Sequence, residues 1–379
     1  MRILLVNTYV GPGAGGQERV ALDLALGLRE AGHNVVVLAP YSNSPPLLRR
    51  IPSDVPLCEA PWRDLAPGRR ESHLRLFTST LHLIRRHGIQ IVSGHGRMFG
   101  VYGACRVSGV PLVWTWHGAD PSAYVSPSVK TRAIRSMLRF LADDPLVHFV
   151  AVSNFTKSCF QQILGRDRVT RLLTIPNGLS AIPALLQLPP PEFSGALKIG
   201  FVGRLEEIKG IFDLPVVARE LARRGIAYRL LVFGDGSMEK ELRARLAGPG
   251  IDPLAISFRG YEPDLGRIYS AFDVFLQLAP NEWLGLTNIE ALAAARPVVG
   301  YNSGGTPEVV RDGHHGCLCA PGDTSGIVER LVQLYRDPET AKGLGQNGRA
   351  WARKGFSLER MTSDYLELFS RIQQTQRSR

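Results

Sequence analysis

The sequence predicts an α/β protein with two Rossmann-like, doubly wound domains in tandem. Short β-branched or aromatic runs alternate with amphipathic segments along the chain, a pattern typical of parallel sheets with helices on both faces. The alternation stops at a proline-rich stretch and then starts again, and a length of 379 residues suits two domains. We therefore expect an N-terminal domain over residues 1–185 and a C-terminal domain over residues 195–356.

Each of these domains contains five predicted strands. In the first domain they are residues 3–6, 35–38, 89–92, 112–115 and 149–152, with amphipathic helices predicted at 18–29 and 74–86. In the second domain they are residues 198–202, 229–233, 256–258, 274–276 and 297–300. Helical segments lie between many of these strands, so parallel pairing is expected in both sheets.

The boundary between the domains is predicted at residues 183–195. Three consecutive prolines at 189–191 cannot lie inside a helix or a central strand, so this stretch is expected to be a stiff connector. Residues 358–372 have the pattern of one amphipathic helix. We expect the C-terminal segment, residues 357–379, to pack back on the first domain.

Composition argues against several classes of protein. No run of about 18 apolar residues occurs, so no membrane-spanning helix is predicted. The N-terminus lacks the long apolar region and the cleavage site of a signal peptide, so a cytoplasmic protein is expected. The five cysteines are scattered, which indicates reduced, buried thiols rather than a disulfide framework.

Charge is distributed unevenly along the chain. Residues 1–194 contain 21 Lys and Arg against 12 Asp and Glu, a net charge of +9. Residues 195–379 contain 24 against 22, a net charge of +2, and the two parts sum to +11. A basic half suits a polyanion, an anionic membrane surface or a phosphate-bearing substrate. A solvated basic surface explains the asymmetry equally well.

A glycine-rich loop follows the first predicted strand. Residues 11–16 fit the dinucleotide-binding pattern G-x-G-x-x-G. NAD binding also needs an acidic residue at the end of the second strand, which here ends in Leu38-Ala39-Pro40, so we do not predict it. The loop either lets backbone N–H groups approach an anion or a sugar, or is only a tight turn between strand and helix.

Two cations follow the first predicted strand of the second domain. The guanidinium of Arg204 is a planar fork for phosphate oxygens, and Lys209 is a point charge. Open parallel sheets bind ligands at the carboxyl ends of their strands, which is where these residues are expected. Solvated loop side chains are the alternative for both.

The segment from Glu282 to Glu290 runs into an alanine-rich helix. Gly285, Leu286 and Thr287 are therefore expected at a helix N-terminus, where free N–H groups and the helix dipole favour a diphosphate. The two glutamates are suited to accept hydrogen bonds from sugar and ribose hydroxyls. Alternatively, Thr287 and Glu290 form a capping box, and Glu282 is a solvated carboxylate.

In their order and spacing, these motifs resemble those of the retaining glycosyltransferases of family 4, also named glycosyl transferases group 1. The resemblance covers nearly the whole chain and implies the GT-B fold, two Rossmann-like domains with a cleft between them. The motifs are Gly15-Gly16-x-Glu18, IVSGH at 91–95, WHG at 116–118, VSN at 152–154, IPNG at 175–178, FVGRL at 201–205, KG at 209–210, GDG at 234–236, the E-x7-E stretch 282–290, PV at 297–298 and GGxxE at 304–308. Trp283 departs from the glycine common in the family and puts the donor-sugar contacts in doubt.

The resemblance implies four catalytic residues. Arg204 and Lys209 match the pair that neutralises the donor diphosphate. Glu282 matches the glutamate that contacts the donor sugar, and His117 matches the histidine that faces the reacting carbon from the N-terminal half. A hydrogen-bonded core histidine is the alternative for His117.

The resemblance also implies how the donor is bound. Backbone amides of residues 285–287 would cradle the diphosphate, and Glu290 would hold the ribose. Gly15 and Gly16 match the loop that closes over the diphosphate, and Gly260 with Tyr261 lies where the nucleobase is bound. The implied donor-binding set is Gly15, Gly16, Arg204, Lys209, Gly260, Tyr261, Glu282, Gly285, Leu286, Thr287 and Glu290.

The activity implied is retaining transfer of a sugar from a nucleoside diphosphate sugar, with a UDP-sugar as the first choice and GDP-mannose as the second. The acceptor would be a hydroxyl of a glycan or lipid-linked glycan in cell-surface polysaccharide or lipopolysaccharide synthesis. No cofactor or metal is expected, since Arg204, Lys209 and the helix end supply a positive field. A nucleotide-sugar epimerase or hydrolase on the same fold, and a non-enzymatic polyanion-binding protein, are the alternatives.

The acceptor side carries most of the net charge. Arginines cluster in two segments of the first domain, Arg69, Arg70, Arg75, Arg85 and Arg86 in one, and Arg132, Arg135 and Arg139 in the other. The second cluster can share one helix face, with Ile134, Leu138 and Leu141 on the opposite face. This pattern suits a peripheral protein on the inner face of the cell membrane, or simply a solvated basic helix. Nucleic acid is not expected as a partner, because the clusters contain few aromatic residues.

Overall fold

The computed structural model describes residues 1–8, 15–39, 49–59, 70–118, 128–165 and 171–378. Contacts divide the chain into two units, Met1–Leu179 with Leu358–Arg379, and Ser180–Ser357. Each unit is built on a sheet in which every neighbouring pair of strands is parallel. The predicted α/β class with two doubly wound domains is therefore confirmed.

The first unit has a seven-stranded sheet. Its strands are β1 (Arg2–Asn7), β2 (Asn34–Ala39), β3 (Leu57–Glu59), β4 (Ile91–His95), β5 (Leu112–Trp116), β6 (Val147–Ala151) and β7 (Leu172–Thr174). Among the described residues, the helices between them are α1 (Gly16–Glu30), α2 (Arg70–His87), α3 (Phe99–Ser108), α4 (Val129–Asp143) and α5 (Asn154–Leu164). The strand order is β3-β2-β1-β4-β5-β6-β7. This order reverses between β1 and β4, so the carboxyl ends of these two strands lie side by side at one end of the sheet.

Helices cover both faces of this sheet. Residues 3–6 of β1 are completely buried, which explains why the strand has no polar face. On one face, Trp116 of β5 packs against Phe160 of α5 with 4.0 Å between the ring centroids. The continuous apolar runs of the sequence therefore correspond to strands buried from both sides.

The second unit has a six-stranded sheet. Its strands are β8 (Leu197–Val202), β9 (Tyr228–Phe233), β10 (Ile256–Gly260), β11 (Val274–Gln277), β12 (Val298–Tyr301) and β13 (Gly316–Cys319). Its helices are α6 (Ile182–Leu185), α7 (Leu214–Arg223), α8 (Glu239–Leu246), α9 (Leu265–Ser270), α10 (Leu286–Ala293), α11 (Thr306–Val309), α12 (Thr324–Arg336) and α13 (Pro338–Gly355). The strand order β10-β9-β8-β11-β12-β13 reverses between β8 and β11.

The last helix, α14 (Leu358–Arg377), belongs to the first unit although it follows the second in sequence. It contacts α1. The hydroxyl of Tyr365 shares a hydrogen bond of 2.8 Å with Thr115 Oγ1 of β5, and Arg360 donates to the carbonyl of Pro176 at 2.6 Å. These polar contacts join α14 to the carboxyl ends of β5 and β7.

Three strands were not predicted from the sequence. They are β3, β7 and β13, each of three or four residues and each at an edge of its sheet. A short edge strand is covered by fewer neighbours, so its apolar pattern is weak. The predicted connector also differs from the structure, because its first residues lie within α6. Pro183 fits in the first turn of this helix, where a backbone N–H group would have no partner within the helix.

The prediction of five buried thiols is wrong for two of them. Cys105, Cys159 and Cys317 are buried, whereas Cys58 and Cys319 are half-buried. The last two lie in β3 and β13, each of which has only one neighbouring strand among the described residues. None of the five cysteines forms a disulfide bond.

Candidate active site

Three of the predicted catalytic residues lie at the point where the sheet of the second unit reverses its strand order. Arg204 and Lys209 are in the loop after β8, and Glu282 is in the loop after β11. The amine Nζ of Lys209 donates to Glu282 Oε2 at 2.7 Å, and the two side chains are 27% and 14% exposed. A reversal of strand order creates a crevice for a ligand between the two loops. The ion pair spans that crevice.

A close backbone approach holds Lys209 in this position. The residue ends a short 3-10 helix, Glu207–Lys209, and Gly210 follows with φ of +68°. A Cβ atom on Gly210 would overlap the carbonyl oxygen of Leu278, just after β11. A glycine is needed here both for its left-handed backbone and for contact with the neighbouring loop.

The loop that carries Glu282 is tied to the loop after β12. The backbone N–H of Gly305 donates to the carbonyl of Glu282 at 2.6 Å. The hydroxyl of Ser303 donates to the carbonyl of Ala279 at 3.1 Å. Both bonds restrain the backbone of the Glu282 loop, and they give the Gly304-Gly305 motif a structural role beside the site.

The helix that follows this loop starts at Leu286. Gly285 is the N-cap, with φ of +86°, and it provides no side-chain cap. The first-turn amides of Leu286 and Thr287 have no acceptor within the helix, as at every helix N-terminus. Thr287 is thus inside the helix, so the capping-box interpretation of Thr287 and Glu290 is wrong. The left-handed glycine starts the helix two residues earlier than that interpretation requires.

Glu290 lies in the interior of the second unit, 1% exposed. The hydroxyl of Tyr269, on α9, donates to Glu290 Oε2 at 2.7 Å and lies 3.2 Å from the carbonyl oxygen of Thr287. Tyr269 therefore links the buried glutamate to the first turn of α10. No sequence motif pointed to Tyr269, which lies 21 residues before its partner.

The loop after β8 is also connected to the loop after β9. Glu206 accepts hydrogen bonds from the backbone N–H and the hydroxyl of Ser237 at 2.9 and 2.8 Å, and these bonds lower the pKa of its carboxyl. Arg204, two residues earlier, is exposed. Glu206 therefore anchors the loop that carries the exposed Arg204.

Gly260 and Tyr261 lie at the edge strand β10. The carbonyl of Gly260 accepts a hydrogen bond of 2.7 Å from the N–H of Gly234, and Tyr261 is 50% exposed. Strand β10 is two strands away from β8, which is about 10 Å at normal strand spacing. Gly260 and Tyr261 thus lie at the carboxyl end of a strand in the same sheet that carries the loop of Arg204 and Lys209.

The first unit contains the other predicted residues, which follow strands β1 and β5. Gly15 caps α1 and Gly16 begins it, after β1. His117 follows β5 directly, and its Nε2 lies 2.8 Å from Nδ1 of His95, the last residue of β4. Burial lowers the pKa of both imidazoles. The predicted alternative is a hydrogen-bonded core histidine. His117 does make a hydrogen bond, but it is partly exposed and so is not a core residue. Residues 11–14 of the glycine loop lie outside the described residues.

The arginine clusters are partly confirmed as surface features. Arg75, Arg85 and Arg86 of α2 are exposed, while Arg69 and the side chain of Arg70 lie outside the described residues. On α4, Arg132 is exposed and Arg135 and Arg139 are half-buried, while Leu138 and Leu141 are buried. Sequence reasoning missed that Met137 and Phe140 of the same helix are 46% and 60% exposed.

Two family models match the chain. The model of glycosyltransferase family 4 matches residues 14–181, and the model of glycosyl transferases group 1 matches residues 189–351. The 2-deoxystreptamine glucosyltransferase of Streptomyces kanamyceticus is 24% identical over 91% of each chain. The phosphatidyl-myo-inositol mannosyltransferase of Mycobacterium leprae is 28% identical over 89% of this chain and 88% of its own.

A solved structure shares the fold. The crystal structure of HepE from Anabaena in complex with UDP superposes with a TM-score of 0.78 at 20% identity, covering 98% of this chain and 100% of HepE. Within the described ranges, no helix is both long and apolar enough to cross a bilayer. The two family models together cover most of the chain, which therefore belongs to glycosyltransferase family 4, the glycosyl transferases group 1, with the GT-B fold.

Proposed function

We propose that this glycosyltransferase moves a sugar, with retention of its anomeric configuration, from a nucleoside diphosphate sugar to a hydroxyl of a glycan or lipid-linked glycan. The observation that carries the proposal is the 2.7 Å contact between Lys209 and Glu282 beside the N-terminus of α10. A cation and a helix end suit a diphosphate, and a carboxylate suits sugar hydroxyls. Family membership favours this activity over the epimerase, hydrolase and polyanion-binding alternatives.

The transfer breaks the bond between the sugar's anomeric carbon and the diphosphate oxygen. Positive charge develops on the sugar and negative charge on the leaving oxygen. Arg204, Lys209 and the amides of residues 285–287 stabilise that negative charge. The acceptor oxygen bonds to the anomeric carbon on the face from which the diphosphate leaves, and the leaving phosphate oxygen takes the acceptor's proton. Retention on this route needs no protein nucleophile. These positive groups also let the reaction proceed without a metal ion.

The preferred donor in this proposal is a UDP-sugar, with GDP-mannose as the second choice. Support for UDP comes from HepE of Anabaena, which was solved with UDP and with UDP-glucose. The mycobacterial relative is named as a mannosyltransferase, which keeps GDP-mannose in consideration. Glu290 would bind the ribose in either donor, and Tyr261 at the edge of the sheet would contact the base.

The residues of the first unit have roles that still come from the family resemblance. Gly15 and Gly16 would close over the diphosphate, and His117 would act at the reacting carbon. The same unit would bind the acceptor. These assignments predict that substitutions at His117 affect the transfer rate without abolishing binding of the free nucleotide.

The acceptor is proposed to lie at the inner face of the cell membrane, in synthesis of surface polysaccharide or lipopolysaccharide. Exposed Met137 and Phe140 lie on α4 with the exposed Arg132. Apolar side chains accompanied by cations suit the interface of an anionic bilayer. The relative from Mycobacterium leprae is named for a phosphatidyl-inositol acceptor, which agrees with a lipid-linked substrate.

A thermal-shift screen with UDP, GDP, ADP and NAD, with and without Mg²⁺, tests the donor class. Binding to the folded state raises Tm by mass action. We expect UDP to raise Tm without Mg²⁺, and Arg204→Ala and Glu290→Ala to lose the shift. Lys240→Ala, at an exposed position of α8, is the control. A shift with NAD alone, or with none of the nucleotides, would contradict the proposal. NMR of the product then identifies the anomer.

A further inference from the structure

Two histidines of the first unit, His95 and His117, are in contact with each other. His95 is completely buried, whereas His117 is partly exposed. His95 Nδ1 lies 2.8 Å from His117 Nε2, with the ring centroids 5.2 Å apart. Burial lowers the pKa of both rings, so both are neutral near pH 7. A neutral imidazole has one N–H group and one bare nitrogen, so one ring donates and the other accepts.

The hydroxyl of Ser93 favours one direction of the hydrogen bond between the two rings. Ser93 lies two residues before His95 on β4 and is completely buried. Its contact with His95 Nε2, at 3.5 Å, is the hydrogen bond that this hydroxyl makes with the described residues. A buried hydroxyl proton without an acceptor costs free energy. Donation from Ser93 to His95 Nε2 provides this proton with an acceptor and makes Nε2 the bare nitrogen of that ring.

The proton positions of both rings then follow. His95 carries its proton on Nδ1 and donates it to His117 Nε2. His117, whose Nε2 accepts, must carry its own proton on Nδ1. Within the described part of the chain, His117 Nδ1 has no hydrogen-bond partner. This N–H group is therefore available to a ligand.

We propose that His95 is a positioning residue that, together with Ser93, holds His117 in the tautomer protonated on Nδ1. His117 then offers a neutral hydrogen-bond donor to a sugar oxygen and does not act as a base. The hydrogen bond from His117 to a sugar oxygen rests on the proposed function. It agrees with a transfer in which the leaving phosphate oxygen, and not a histidine, takes the acceptor's proton. No bond to His117 forms or breaks.

The tautomers can be measured directly by two-bond ¹H–¹⁵N correlation NMR on the full-length protein with ¹⁵N-labelled histidine. Protonated and bare ring nitrogens differ widely in ¹⁵N chemical shift. His95→Asn and His117→Asn assign the signals by their disappearance. We expect Nδ1 to be protonated and Nε2 to be bare in both rings. A His117 ring protonated on Nε2, or a charged ring at pH 7, overturns the proposal.

Two substitutions separate the positioning role from a general structural one. In His95→Asn the amide reaches the place of Nδ1 and can still donate, so the tautomer of His117 should be retained. In His95→Phe the ring volume remains but the donor is lost, so His117 should populate both tautomers. His148→Asn, which removes a half-buried histidine from the neighbouring strand β6, is the control. An unchanged His117 tautomer in His95→Phe contradicts the role of His95. If His95→Phe does not fold, the wild-type spectrum still shows which ring nitrogens of His95 and His117 are protonated, and so tests the proposal.

Activity measurements distinguish this inference from the proposed function. With the donor found by the nucleotide screen, kcat/KM should fall roughly three- to tenfold in His95→Phe, the loss expected for one hydrogen bond. It should stay near the wild-type value in His95→Asn. The predicted tautomer without any sugar transfer would refute the proposed function and leave the inference intact. Sugar transfer with His117 protonated on Nε2 would refute the inference and leave the function intact.

Discussion

Lys209 and Glu282 are 73 residues apart in sequence, yet their side chains form an ion pair with 2.7 Å between Nζ and Oε2. Each residue lies in the loop after one of the two strands at which the second sheet reverses its order. The pair therefore depends on the topology of the sheet. A bound diphosphate would compete with Glu282 for Lys209 and leave the carboxylate available for sugar hydroxyls.

Lys209→Ala should lower kcat/KM for the donor by at least about 100-fold, because a cation that stabilises the leaving group is lost. The free energy of unfolding should fall by only about 1 kcal/mol, because the pair is partly solvated. Initial rates and chemical denaturation measure the two effects. Lys240→Ala removes an exposed lysine from the same unit and should change neither quantity. Equal rates in the two variants would exclude Lys209 from catalysis.

Tyr269→Phe should weaken binding of the nucleoside diphosphate about tenfold, because the hydroxyl that orients Glu290 at 2.7 Å is removed. Isothermal titration calorimetry measures the Kd. Tyr228→Phe is a matched control, since the Tyr228 hydroxyl is buried and has no hydrogen-bond partner in the described structure. That control should bind normally and be no less stable than the wild type. If both variants bind alike, Tyr269 does not position Glu290.

Gly210→Ala tests the close approach of the two loops. Gly210 and Gly225 both have a left-handed backbone, with φ of +68° and +67°. A Cβ atom on Gly225 meets no atom within 4 Å, whereas one on Gly210 overlaps the carbonyl of Leu278. Gly225→Ala should cost about 1 kcal/mol of unfolding free energy, the backbone penalty alone. Gly210→Ala should cost at least roughly 3 kcal/mol and also lower activity. If urea denaturation gives similar losses of unfolding free energy for Gly210→Ala and Gly225→Ala, the close approach of Gly210 to Leu278 does not contribute to stability.

Much of the site was predictable because its residues follow strands at the same edge of a parallel sheet. The positions of Lys209 and Glu282 relative to the predicted strands were sufficient to expect these two side chains near each other, and Arg204 lies in the same loop as Lys209. The contacts of Tyr269 and His95 were not predictable, because each partner lies 21 or 22 residues away on another element. The capping-box prediction failed because Gly285 adopts a left-handed conformation that spacing does not reveal.

His148 should make the protein less stable in acid. Burial, with a smaller effect from the charge of Arg171, lowers its pKa from 6.5 to about 4 in the folded state. As the pH falls below 6.5, His148 is protonated in the unfolded chain but stays neutral in the folded protein. The free energy of unfolding therefore decreases. At a pH of about 5.5 the loss is about 1 kcal/mol. His148→Asn should reduce this loss, which is measured by urea denaturation at a pH of about 5.5 and again at a pH above 6.5. The exposed His82→Asn should leave it unchanged.

Met137 and Phe140 should contribute to membrane binding if the acceptor is lipid-linked. Burying such side chains in the bilayer interface stabilises binding by roughly 2 kcal/mol each. The double substitution Met137→Ser with Phe140→Ser should therefore lower the fraction that floats with vesicles containing phosphatidylglycerol by more than about tenfold. Leu254→Ser is the matched control, because Leu254 is an 87% exposed apolar residue of the other unit. Phosphatidylcholine vesicles should bind weakly, since they lack the negative charge that attracts the arginines. Wild-type protein that stays at the bottom of the gradient with anionic vesicles at moderate salt would rule out this surface as a membrane contact.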